Sequence, residues 1–261
     1  MELLILGGVS LAASMLTFLC GFGLGTILTP VFFLLFGTEY GGLEFAIGAT
    51  AIVHFLNNIF KFGLMRKSID KKIALKFGLT AIPFALIGAL TLYFIGDRPL
   101  YSFSAFGLAS EVSLLGLVFG IMIIFFSLLE ILPRLGEKLA FNNLVVGGAL
   151  SGFFGGLSGH QGALRSAFLL RYKLSKEVFI ATGILIALLI DVTRIPIYFS
   201  HLSVETLSSS WLPIAVALGS AVLGAIGGKY LLKKIELKIL NILVSIAMFT
   251  FGVLLATGFL M

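Results

Sequence analysis

The residues best equipped for chemistry lie inside apolar stretches. The segment GLSGHQGALR at 156–165 places Ser158, His160, Gln161 and Arg165 among glycines. Arg165 stays charged at any working pH, and its planar fork of donors matches a sulfonate, sulfite or carboxylate in bidentate fashion. His160, with an unperturbed pKa near ~6.5, offers a donor to the same anion or a site for a coupling proton. Its plainer reading is a neutral, hydrogen-bonded core histidine. A second glycine-rich segment, GFGLGTILTP at 21–30, contributes Thr26 and Thr29, with Pro30 expected in an early helical turn. Two groups sit in longer apolar runs. His54, Asn58 and Lys61 are spaced i, i+4, i+7 on one helical face with Asn57 beside them, and Asp191 and Arg194 are spaced i, i+3. Polar groups in such runs are costly in lipid and face a bundle interior or cavity. Near a span end, Lys61 and Arg194 can equally snorkel to an interface, and Asp191–Arg194 can be a structural bridge. These twelve residues are the candidate binding residues for a small anion.

Other chemistries lack their parts. Three histidines, one cysteine (Cys20) and an Asp191 engaged by Arg194 supply neither a metal-ligand set nor a hydrolytic constellation. No Walker motif, HExxH or Gly-x-Ser-x-Gly elbow occurs. The expectation is no enzyme, no cofactor and no metal.

The elements that position these residues are membrane spans. The 261 residues are 59% apolar and only 11% charged, with a mean hydropathy of +1.14, too little charge to cover a soluble domain. The net charge of +6 falls in short loops between apolar runs, which argues for membrane orientation rather than nucleic acid. The opening residues lack a basic n-region and read as a retained segment. Residues 3–20 are apolar, 21–30 interrupt, and a short apolar piece ends near Phe36. Spans follow at 44–65, 73–95 and 112–132. The scheme then recurs: 143–155, an interruption at 156–165, a short piece to Leu170, and spans at 177–199, 211–232 and 238–260.

The recurrence is a duplication. Shifted by 133 residues (177 − 44), Glu44 meets Glu177, Ile47 meets Ile180, Asn58 meets Asp191 and Lys61 meets Arg194. The expected repeats are 1–138 and 139–261 within one membrane domain. Arg66, Lys67, Lys71 and Lys72, then Arg134 and Lys138, then Arg171, Lys173 and Lys176, then Lys229, Lys233, Lys234 and Lys238 mark cytoplasmic loops, whereas 37–44 and 200–210 hold no Lys or Arg. Both ends of 139–176 are then cytoplasmic, so that stretch is a hairpin, and the first hairpin (1–37) enters from outside. The repeats are inverted, as in secondary transporters whose broken helices meet near the midplane. The predicted fold is an all-α polytopic membrane protein of two inverted repeats, each a Gly-interrupted hairpin plus three transmembrane helices. His201 reads as interfacial, Trp211 as an aromatic-belt residue and GAIGG at 224–228 as a packing face.

With these motifs in place the chain resembles the TauE/SafE sulfite exporter family. The resemblance rests on GGLSGHQGALRSAFLLRYKLSKEVFIATG at 155–183, GFGLGTILTPVF at 21–32 and VHFLNNIFKFGL at 53–64, and covers nearly the whole chain. It implies a permease of a bacterial-type inner membrane that exports sulfite or an organosulfonate, coupled to a proton or cation. His160 and Gln161 stand where many members have glycine, which reshapes the pocket. A carboxylate or other oxyanion carrier is the alternative substrate reading, and a non-transporting membrane scaffold the alternative of another class.

Overall fold

The computed structural model describes residues 1–20, 23–105, 108–132, 135, 143–231 and 238–260. The loop charges Arg134, Lys138, Lys233 and Lys234, the 138/139 repeat boundary and residues 21–22 of the first glycine-rich segment lie outside the described residues. In chain order come α1 (Glu2–Cys20), α2 (Leu24–Tyr40), α3 (Gly42–Met65), α4 (Lys71–Ile95), β1 (Pro99–Ala105), β2 (Leu108–Ser113) and α5 (Leu114–Ile131). The second half holds α6 (Leu144–Ser158), α7 (Gly162–Leu170), α8 (Lys176–His201), the short α9 (Val204–Ser209), α10 (Trp211–Leu231) and α11 (Lys238–Ala256). Among the described residues, five helices are long and apolar enough to cross a membrane, and α1, α2, α6 and most of α11 are shorter apolar helices. The protein is an all-α polytopic membrane protein carrying one small antiparallel β-hairpin, β1–β2.

The interruptions are narrower than their glycine content suggests. The first break closes by Gly23, and the second spans 159–161. Thr26 and Thr29 are therefore helical. Pro30 lies in the second turn of α2 rather than at its start, and there it forgoes the hydrogen bond to the Thr26 carbonyl.

Close packing between the halves is what fixes the positions of the breaks. Gly148, Gly152 and Gly156 of α6 form a four-residue stripe against Phe77, Ala81 and Ala85 of α4. A methyl group on any of the three would come within 2.0–2.3 Å of the carbonyl oxygen of its α4 neighbour. Without a hydrophobic drive between helices in lipid, such backbone contact is a main source of association. The counterpart pair is α1 with α10, where Gly224 receives the Leu11 carbonyl. The packing is reciprocal: α4 lies on α6 and α8, α10 lies on α1 and α3, α5 pairs with α11 and α3 with α8. The last two pairs join elements that the 133-residue sequence shift sets opposite each other or that close the two expected repeats, and both run antiparallel. Along α3 and α8, Gly48 meets Leu202, His54 meets Asp191, and Met65 packs with Ile180 and Ile184. Along α5 and α11, Gly120 meets Ala256 and Glu130 meets Ser245.

Two faces follow. One carries the basic segments after α3 and α7, and there the Asp70 amide donates to Thr182 Oγ1 of α8 at 3.0 Å. The opposite face carries the α2–α3 turn, the start of the β-hairpin and residues 202–210. There His201, in the last turn of α8 rather than in a loop, stacks on Tyr93 with ring centroids 3.5 Å apart. The α1–α2 hairpin descends from this opposite face and the α6–α7 hairpin rises from the basic one.

Candidate anion site

The two breaks meet. A methyl group on Gly25 would sit 3.4 Å from the Gly159 carbonyl oxygen, and one on Gly23 would sit 3.7 Å from it. Gly159 caps α6 in the left-handed region, at φ 78°. Any side chain there would also strike the Arg194 guanidinium, whose Nη1 lies 2.7 Å from the place a Cβ would take. Glycine is thus required twice over at this turn. Neither α2 nor α7 has a side-chain cap at its N-terminus, so both positive helix ends are turned toward the centre.

Beside this junction, toward the basic face, is a cavity of about 30 Å³ lined by Thr17, His54, Asn58, Lys61, Arg165 and Ser166 together with the apolar Leu24, Leu169, Phe179, Ile180 and Ile184. That is room for on the order of two waters. Lys61 is 3% exposed and Arg194 1%, which rules out snorkelling for either, and Arg165 is buried too, at 7%. Lys61 Nζ donates to Thr17 Oγ1 at 3.0 Å and to the Ser14 carbonyl at 3.4 Å. The Asn57 amide, oriented to satisfy both its ends, accepts from Ser14 Oγ at 3.0 Å and Lys61 Nζ at 3.3 Å and donates to the Ala221 carbonyl at 3.3 Å. The guanidinium of Arg165, the fourth residue of α7, passes over Gly183, where a methyl group would lie 3.2 Å from Nε.

A polar relay adjoins the cavity. Asp191 is fully buried and is shared: Arg194 Nε donates to Oδ1 at 2.9 Å with Nη2 at 2.8 Å, and His54 Nδ1 lies 2.7 Å from Oδ2. Asn58 Nδ2 lies 3.3 Å from His54 Nε2. These contacts are met together by a neutral imidazole that donates from Nδ1 and accepts at Nε2. Arg194 also lies over the Tyr198 ring, 5.4 Å from its centroid, and the Tyr198 hydroxyl donates to the Gly156 carbonyl. Among the described residues the fully buried charges are three cations, Lys61, Arg165 and Arg194, against one carboxylate, Asp191. With Asp191 bound to Arg194, the cavity side holds the positive excess. An enclosed, positively charged space in a low-dielectric surround favours an anion.

Of the candidate residues, His54, Asn58, Lys61 and Arg165 converge on the cavity. Asp191 and Arg194 stand directly behind it, and Asn57 braces Lys61. His160 turns away from it. Its ring lies between Phe119 and Phe126 of α5, at 6.3 and 6.2 Å, and its Nδ1 contacts the Ser158 carbonyl at 3.0 Å. Gln161 and Ile190 both pack on Gly155. Ser158 donates to the Phe154 carbonyl at 3.0 Å. Thr26 and Thr29 are buried on α2 outside the cavity wall. Both amide atoms of Gln161, Nε2 of His160 and the hydroxyls of Thr29 and Thr50 have no hydrogen-bond partner among the described residues. Each such group costs about 1–3 kcal/mol when unmatched, so the junction is suited to polar guests that the chain does not itself supply. Sequence reasoning missed Ser14, Thr17 and Ser166. The first two belong to a Ser10–Ser14–Thr17 stripe, spaced i, i+4, i+7 in α1 and fully buried.

A family model described as Sulfite exporter TauE/SafE matches residues 6–255, nearly the whole chain, and the chain belongs to that family of membrane transporters. No curated protein matches the chain in a sequence comparison.

Proposed function

We propose that this member of the sulfite exporter family is a secondary carrier that binds a small oxyanion, sulfite in preference, between Lys61 and Arg165. The observation that carries the reading is the enclosed cavity with one cation from each half of the chain, Lys61 on α3 and Arg165 on α7. A pyramidal oxyanion has acceptors enough for the guanidinium fork, the ammonium and the hydroxyls of Thr17 and Ser166 at once. The small volume favours sulfite over a longer organosulfonate. The antiparallel crossing of α3 with α8 and of α5 with α11, read with the duplication, supports two inverted repeats. In such a frame alternating access exchanges the conformations of the two halves. Here the half toward the basic face holds the cavity, and the equivalent half is packed shut by Tyr198 on Gly156, Leu202 on Gly48 and Tyr93 on His201. With the basic face cytoplasmic, the cavity lies on the cytoplasmic side, behind Phe179 and Leu169. A membrane negative inside then helps expel whatever net negative charge crosses, by about 2.3 kcal/mol per charge per 100 mV.

The test is counterflow of labelled sulfite in proteoliposomes, with sulfonates and carboxylates as competitors. Exchange competed best by small sulfur oxyanions supports the reading. Exchange competed best by carboxylates would keep the carrier and change its substrate. No exchange of any anion by folded protein would favour a membrane scaffold.

A further inference from the structure

We infer that the carrier binds a proton on Nε2 of His54 at the same time as its anion, so that proton and anion cross in the same direction. This rests on the carrier reading above and adds the identity and the seat of the coupling ion. His54 is the histidine in the cavity wall; His160 is packed against α5 and His201 is at the opposite face. Its Nδ1 edge is committed to Asp191 at 2.7 Å. The other nitrogen, Nε2, has Asn58 Nδ2 at 3.3 Å, an amide nitrogen that is also 3.2 Å from Nδ1, and Asn58 lines the cavity as well.

The step is a simple addition. The Nε2 lone pair takes a proton from water, the imidazole becomes imidazolium, and the Asn58 amide turns to present its oxygen to the new N–H. Asp191, already ion-paired with Arg194, then faces a second cation through His54.

The surrounding charges make this addition conditional on the anion. From α3 comes Lys61, from α7 Arg165, and from α8 Asp191, Arg194 and Tyr198. α1 offers only the uncharged Ser14 and Thr17, α10 the Ala221 carbonyl, and the α6 tip the Gly159 backbone. In an empty cavity an imidazolium would be a further positive charge facing Arg165 and Arg194, and like charges repel in a low-dielectric site. An anion held by Lys61 and Arg165 offsets the repulsion and draws the proton in. By linkage the proton strengthens anion binding by the same factor. The cavity is therefore occupied by both or by neither, which is what tight coupling requires.

The experiment is initial sulfite efflux from proteoliposomes at fixed internal pH, with and without an outwardly directed proton gradient, for wild type and His54→Gln. Sulfite itself titrates near neutral pH, so each protein is compared with itself at the same two pH values, after subtracting protein-free vesicles. The expected result is a several-fold stimulation by the gradient in wild type and equal fluxes with and without it in His54→Gln, whatever that variant's absolute rate. Stimulation that persists in His54→Gln overturns the assignment to His54, and a wild type that exchanges sulfite but ignores the gradient overturns proton coupling. A wild type without exchange removes the carrier reading and this inference together. Should His54→Gln give no flux, Asn58→Ala decides. Removing this side chain, which contacts Nε2 in both protonation states, moves the pH profile of the gradient response, and an unmoved profile contradicts the proposal.

Discussion

His54 of α3 and Asp191 of α8 lie 2.7 Å apart, 137 residues distant in the chain, at the point where the two central helices cross. Asp191 also holds Arg194, so one carboxylate joins the halves and sets the back wall of the cavity. Replacing it with asparagine leaves Arg194 buried with its charge uncompensated. Breaking such a pair costs about 3–5 kcal/mol. Asp191→Asn should lower the thermal unfolding temperature of the detergent-purified protein far more than Glu177→Gln, a half-buried position in the first turn of the same helix.

The α4–α6 contact gives a second expectation. Gly152→Val would drive side-chain carbons into Ala81, whose carbonyl oxygen lies 2.3 Å from the place a Cβ would take. Overpacking of this kind costs about 1–3 kcal/mol or more. Gly219→Ala in α10, where nothing lies within 4 Å, should be neutral or slightly stabilising, since alanine is the better helix former. Yield and thermal stability of the two variants are the comparison. Equal stability would mean that the close approach of α4 and α6 is not needed.

Substrate size should follow the apolar wall. Phe179 and Leu169 close the cavity on the side of the basic face. Phe179→Ala should let longer sulfonates compete with labelled sulfite several-fold better than in wild type, with little change in competition by sulfite itself. A competition series that is unchanged would place the size filter elsewhere.

The orientation of the halves can be read with cysteines in a Cys20→Ala background. Ile69→Cys lies beyond α3 and Glu205→Cys in α9, at opposite faces. Membrane-impermeant reagent should label position 205 from outside and position 69 only after permeabilisation. Labelling of both from one side would rule out the inverted arrangement.

Much of this was legible in the chain before its structure. The helices fall within a few residues of the apolar runs because twenty apolar residues in succession leave few alternatives in a bilayer. Arg165 and the His54–Asn58–Lys61 face stood out as polar residues that lipid does not tolerate. The contact of His54 with Asp191 was not legible, since a pairing across 137 residues leaves no local pattern. The turning of His160 toward Phe119 and Phe126 was hidden for the same reason. The β-hairpin had a signal that hydropathy obscured. PLYSFSA at 99–105 alternates Tyr101 and Phe103 with Ser102 and Ser104, the period-2 pattern of a strand. The Ser10–Ser14–Thr17 stripe was readable too, at helical spacing on one face, but uncharged hydroxyls in an apolar run give a weaker signal than a buried charge.

The account depends most on the cavity being an anion site, and labelled-sulfite counterflow by Arg165→Ala, Arg165→Lys and wild type tests it most directly. Arg165→Ala should lose counterflow by at least tenfold, the equivalent of about 1.4 kcal/mol. Arg165→Lys should recover part of it, since the charge returns without the bidentate fork. Wild-type rates from a folded Arg165→Ala protein would contradict the account, because the anion would then have to be held somewhere other than between Lys61 and Arg165.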